Sequence, residues 1–254
     1  MTNSVKDEQN VESASATTLK ELKDTLWKAA DKLRGSMDAS QYKDIVLGLV
    51  FLKYVTDAFD ARRAELRAEG EERGDSEEYI QEDLEDIDAY REKNVFWVDP
   101  IARWTFLRDN SKGKSADAGQ EYQSIGKLID NAMKQLMQDN ESLLGTLPTN
   151  FASDSVDQRR LGELIDLFST TRFTAEGPER ARDLLGEVYE YFLEKFARAE
   201  GKRGGEFYTP RPVVRTLVEI LEPTQGRVYD PCCGSGGMFV QAEKFLETTE
   251  KDRT

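Results

Sequence analysis

No histidine occurs anywhere in the 254 residues. That excludes histidine acid–base catalysis, Ser-His-Asp triads and histidine-containing zinc sites. Only two cysteines are present, Cys232 and Cys233, and they are adjacent. Adjacent cysteines suit neither a structural disulfide framework nor a metal site. They read as small loop residues, no metal is expected, and a reducing cytoplasm fits. Nothing resembles a signal peptide. The longest apolar run, Ile45 to Leu52, is ended by Lys53 and Asp57 well short of a membrane span. Two common phosphate loops are also missing: neither G-x-x-x-x-G-K-[ST] nor G-x-G-x-x-G occurs.

What is present is the composition of a globular chain of one or two domains, with 38% hydrophobic and 33% charged residues. The net charge of −14 does not suit a free-standing DNA-binding module, which usually carries a basic patch. The acid is concentrated. Asp60 to Lys93 holds 14 Asp/Glu and six Lys/Arg, so −8 of the −14 lies there. We read that run as a solvated helix face and loop rather than as a partner-facing surface.

The last quarter carries the chemistry. Val228 and Tyr229 favour a β-strand, which Asp230-Pro231 closes because proline removes a ladder donor. Gly234, Gly236 and Gly237 then form a loop that lets backbone approach a ligand. Phe239, Val240, Ala242, Phe245 and Leu246 supply the apolar stripe of a following helix. A glycine loop that feeds a helix N-terminus gathers N–H groups and the positive end of the helix dipole. Such a loop attracts a carboxylate or phosphate, while Asp230 suits an ammonium. Together they fit a zwitterionic amino acid, such as the methionine part of S-adenosylmethionine. Upstream, Thr209 is placed to cap a helix that opens with Pro210, with Val213, Val214, Leu217, Val218 and Leu221 on its apolar face. Glu206, Phe207 and Tyr208 precede that cap as a polar–aromatic segment. They either face the same ligand or form an ordinary hydrophobic staple.

Gly205-Glu206-Phe207-Tyr208-Thr209-Pro210-Arg211-Pro212-Val213-Val214, followed closely by Asp230-Pro231-Cys232-Cys233-Gly234-Ser235-Gly236-Gly237-Met238, resembles an N6-adenine DNA methyltransferase. More narrowly, it resembles the modification (M) subunit of type I restriction–modification systems. Leu26 to Gly35, Leu47 to Tyr54 and Arg160 to Asp166 resemble the N-terminal helical domain of those subunits and the stretch before their methyltransferase domain. The likeness runs from about Leu19 to the C-terminus. It implies S-adenosyl-L-methionine as cofactor. It also implies a specificity subunit, a restriction subunit and a second M subunit as partners, and double-stranded DNA reached through the complex. By the same resemblance, Glu206, Phe207, Tyr208, Thr209, Pro210, Arg211, Asp230, Gly234, Ser235, Gly236 and Gly237 bind the cofactor. No catalytic residue is assigned. The family's Asn-Pro-Pro-aromatic motif, which holds the flipped adenine, is not found in these residues. The expectation is therefore the front part of a longer enzyme, inactive alone. The rival is a non-catalytic paralogue or assembly module that binds the specificity subunit or DNA. A dinucleotide-binding oxidoreductase is disfavoured by the glycine spacing.

The expected organisation is a loose tail over 1–18, a helical domain over 19–155, and the start of an α/β Rossmann-like methyltransferase domain over 156–254. Within it we expect helices at Leu19–Leu33, Tyr42–Ala68 (capped by Asp38 or Ser40), Ile125–Met137, Leu161–Phe168 and Leu184–Phe196. Glu71–Glu78 reads as a charged loop and Tyr79–Glu92 as a helix or an irregular acidic segment. Asn94–Asp99 is β-like, Ala102–Leu107 a short helix and Ser111–Gly119 a loop. Trp97 and Trp104 read as core rather than as base-stacking platforms. Glu200–Gly205 reads as a flexible joint, in which Lys202 and Arg203 either touch phosphates or are simply solvated.

Overall fold

Serine and aspartate stand before the helices of the N-terminal half, and their side chains supply the acceptors that a first turn leaves unmet. Ser76 accepts from the N–H of Tyr79, Asp86 from Asp88, Ser124 from Lys127, and Asp157 from both Arg159 and Arg160. The structure is a computed structural model. It describes residues 23–24, 26–28, 30–31, 33, 37, 39–114, 122–170, 178–200, 209, 211–233 and 236–251. The expected tail, the joint with Lys202 and Arg203, Asp38 as a cap and most of the 111–119 loop's second half lie outside these residues.

The described residues are mainly helical. After helical turns within 23–31 come α1 (Ala39–Arg73), α2 (Glu77–Glu85), α3 (Ile87–Arg91), a 3-10 turn (Pro100–Ala102) and α4 (Trp104–Asp109). Then follow α5 (Ile125–Asp139), a second 3-10 turn (Glu141–Leu143), α6 (Gln158–Phe168), α7 (Pro178–Glu200), α8 (Arg211–Leu221) and α9 (Gly237–Lys251). The chain divides into two compact units after Tyr189, within α7.

In the first unit α1 is the central element. Ile45, Val46, Leu49, Val50, Leu52, Val55 and Phe59 are buried along it. Phe59 stacks on Tyr90 at 4.7 Å, and Trp97 meets both rings edge-on at 5.4 and 5.2 Å. Trp104 stacks on Phe168 at 6.2 Å and donates its indole N–H to Ser169 at 2.8 Å. Both tryptophans are therefore core, as the sequence led us to expect. Leu26, Ala30 and Leu33 are buried too, and Lys23 pairs with Glu187 of α7 at 2.8 Å.

α1 is longer than expected at both ends, and the 71–78 loop shrinks to three residues. Gly74 stops the helix in the left-handed region at φ 76°, and α2 starts at Glu77. Ser40 lies inside α1 rather than capping it. The acidic run is laced to arginines. Arg62 reaches Glu65 and Glu69, Arg63 reaches Glu85, Arg67 reaches Glu77, and Arg73 reaches Asp75 and Asp83, at 2.6–3.2 Å. The segment thus folds back as a charged helical flank. Exposed pairs of this kind add little stability singly.

The β-like stretch before Pro100 joins no strand. The only ladder-type pairing among the described residues is an isolated bridge, Lys114 to Gln123. Asn140 replaces the missing partner. Its side-chain oxygen accepts the N–H of Trp97 at 3.1 Å, and its amide donates to the carbonyls of Trp97 at 2.9 Å and Leu136 at 2.8 Å. Buried Asp130 plays the matching part for the segment before α6, accepting the N–H groups of Phe151 at 2.8 Å and Ala152 at 3.2 Å. Gly126 lets that segment pass against α5, since a Cβ there would collide with the carbonyl oxygen of Phe151.

Candidate cofactor site

In the second unit α8 and α9 lie against each other. Val214 and Val218 of α8 are buried, four residues apart, and Gln241 and Ala242 are buried on α9. Phase decides which apolar residues go in. On α9 the covered stripe runs through Met238, Gln241, Ala242, Phe245 and Thr249 at helical spacing, whereas Phe239 and Val240 face outward. On α8, Val213, Leu217 and Leu221 are exposed, so the apolar face read from sequence is only partly covered.

Asp230 is half-buried where the extended segment ends, and its Oδ1 accepts the backbone N–H of Cys232 at 2.9 Å. This is an Asx turn, which ties the carboxylate to the backbone of the turn that follows it. The chain then tightens: the carbonyl of Cys233 accepts the N–H of Gly236 at 2.8 Å. Gly236 has φ 77°, where only glycine sits without strain. Its carbonyl accepts the N–H groups of Phe239 at 3.0 Å and Val240 at 3.2 Å, and α9 opens at Gly237. One acid, a left-handed glycine and the positive end of a 15-residue helix thus follow one another in eight residues. Cys232 and Cys233 are both free and exposed on this turn.

The structure brings Asp230, Gly236 and Gly237 together. Thr209 is exposed before α8, and Arg211 opens that helix. Glu206, Phe207, Tyr208, Pro210, Gly234 and Ser235 lie outside the described residues, as does the Arg211 side chain. The expected strand at Val228–Tyr229 does not form among the described residues, which show a helix pair joined by an extended segment there and do not show the Rossmann-like opening. Val228 is 49% and Tyr229 85% exposed, and no strand among the described residues accepts their ladder bonds. We expect amide exchange at Val228 to Asp230 to be much faster than at Leu47 to Tyr54 in the monomeric chain. Equal protection would mean that this segment is paired in solution.

The helical unit and the loop define the class. The chain belongs to the HsdM N-terminal domain family, whose model matches residues 22–168. Residues 180–254 match the N-6 DNA Methylase family. The likeness to the N-terminal part of type I modification subunits, read from sequence, stands. Among particular relatives, the type I restriction enzyme MjaIX methylase subunit of Methanocaldococcus jannaschii is 38% identical over 89% of this chain and 40% of its own length. The HindI methylase subunit of Haemophilus influenzae is 45% identical over 57% of this chain and 34% of its own. The chain thus spans well under half the length of these relatives. The type I restriction-modification system methyltransferase subunit from Streptococcus thermophilus shares the fold, with a TM-score of 0.58 and 23% identity over 90% of this chain and half of that one. No described helix is long and apolar enough to cross a membrane.

Proposed function

We propose that this chain is the front part of a type I M subunit that methylates N6 of adenine in DNA, with S-adenosyl-L-methionine as its cofactor. The observation that carries the reading is the run from Asp230 to Gly237. A fixed carboxylate suits the cofactor's ammonium, and the helix N-terminus behind a left-handed glycine suits its carboxylate. When bound, the cofactor supplies a methyl group activated by a sulfonium. The residues proposed to hold it are Glu206, Phe207, Tyr208, Thr209, Pro210, Arg211, Asp230, Gly234, Ser235, Gly236 and Gly237. Their work is to bind and orient, which can supply a large part of a transfer rate. A specificity subunit, a restriction subunit and a second M subunit are the proposed partners, DNA is reached through that complex, and the cytoplasm is the proposed compartment.

These 254 residues contain no Asn-Pro-Pro-aromatic motif. A polypeptide of these residues alone is therefore expected to leave tritium transfer from labelled cofactor to DNA at background. The full-length subunit with its specificity partner is expected to yield N6-methyladenine in the digested DNA. Clear incorporation by the 254-residue polypeptide would refute the division of the site. A full-length complex that produced only methylcytosine would refute the reaction assigned.

A further inference from the structure

We propose that Asp139 is a proton-operated latch at the end of α5: with its carboxyl neutral the last turn closes on Trp97, and with it ionised that turn loosens. Three features of the site disfavour the charge. Asp139 is the last residue of α5, where the negative end of the helix dipole repels an anion. Its Oδ2 is buried and meets no hydrogen-bond donor among the described residues. Asp99, just before the first 3-10 turn, adds a second negative charge nearby.

The groups around the carboxylate answer it only in part. Gln135 Nε2 donates to Oδ1 at 3.0 Å. Arg91 of α3 donates from Nη2 to the main-chain carbonyl of Asp139 at 3.4 Å and from Nη1 to Asp88 at 3.5 Å. The arginines of α4 and α6 pair close by in sequence: Arg108 with Asp109, Arg159 with Glu163 and Arg160 with Asp157. Glu141, on the second 3-10 turn, is exposed. Burial holds the Asp139 carboxyl above the usual carboxylate range; the Gln135 bond opposes that shift and Asp99 adds to it. The folded chain therefore holds this proton more tightly than the unfolded chain. The site's contribution to stability is greatest in the ordinary carboxylate range and is lost as pH rises through the raised midpoint.

The latch acts through the next residue. Asn140 donates its amide to the carbonyl of Leu136, in the same last turn, and to the carbonyl of Trp97, and its oxygen accepts the Trp97 N–H. A turn that frays under the carboxylate charge frees Asn140 from its Leu136 anchor, and Trp97 loses its clamp.

The test follows the full chain by NMR from about pH 8 to about pH 4.5, across the window in which a raised carboxyl titrates. It reads the Asp139 carboxyl carbon and the exchange of the Trp97 amide, corrected for the intrinsic pH dependence of exchange. Trp97 protection should rise roughly two- to fivefold as Asp139 takes its proton, the size of one charge at a helix end. Asp139→Asn, similar in shape and neutral, should keep the higher protection across the range with the wild-type circular dichroism. Asp99→Asn, which retains an oxygen to cap the 3-10 turn, should lower the Asp139 midpoint. Trp97 protection that does not follow the Asp139 midpoint would overturn the latch. So would an Asp139→Asn chain protected no better than ionised wild type, or an Asp139 midpoint within the ordinary carboxylate range.

Discussion

Asp57→Ala is expected to lower the unfolding free energy by about 3–5 kcal/mol, the usual cost of stranding one charge of a buried pair. Asp57 receives the Lys53 ammonium at 2.5 and 2.6 Å, four residues away on α1, and both residues are buried. Lys53 also lies 5.7 Å from the centre of the Trp104 ring. Thermal melting of the full chain followed by circular dichroism should show a fall of about 10 °C or more. Lys53→Met with Asp57→Leu should recover most of the loss, because no charge is left unpaired. If the single variant melts with wild type, the pair does not contribute to the fold.

Asp230→Ala in the full-length subunit is expected to weaken S-adenosylmethionine binding about ten- to a hundredfold, corresponding to roughly 1.5–3 kcal/mol for a lost charged hydrogen bond. The Asx turn gives the residue a second task, and Asp230→Asn separates the two. Asparagine keeps an oxygen for the N–H of Cys232 but removes the negative charge. If the carboxylate attracts an ammonium, Asn should bind as poorly as Ala in isothermal titration. Wild-type affinity for Asn together with a loss for Ala would reduce Asp230 to a turn former.

The helices of the first unit were legible because their apolar residues recur at helical spacing, and those of α5 and α6 came out within a few residues of their expected bounds. The ends were less legible. α1 runs past Ala68 where Gly70 lies close against the buried Ile80 of the next helix, a tertiary effect that no local window contains. Lys53 and Asp57 looked like the end of an apolar run, yet they pair and stay within the core. A lone lysine reads as surface; only its spacing of four from an acid hinted otherwise. At the candidate site the order acid, glycine, helix was plain in the sequence. The strand before it was not obtained, since β-propensity describes a side chain's fit to a sheet and not the presence of the sheet. Phe239 and Val240 counted as apolar, but their phase on α9 turns them outward.

Asn140 has a consequence for how this protein behaves in a crowded solution. An extended aromatic segment such as Val95 to Val98 is the sort of sequence that recruits strands from other molecules and seeds aggregates. The Asn140 side chain occupies both the donor and the acceptor of Trp97, and so blunts that segment where its ring is largest. A strand passing from another molecule finds neither group available. One amide thereby takes, for Trp97, the place that a neighbouring strand would otherwise fill, and no strand among the described residues does so.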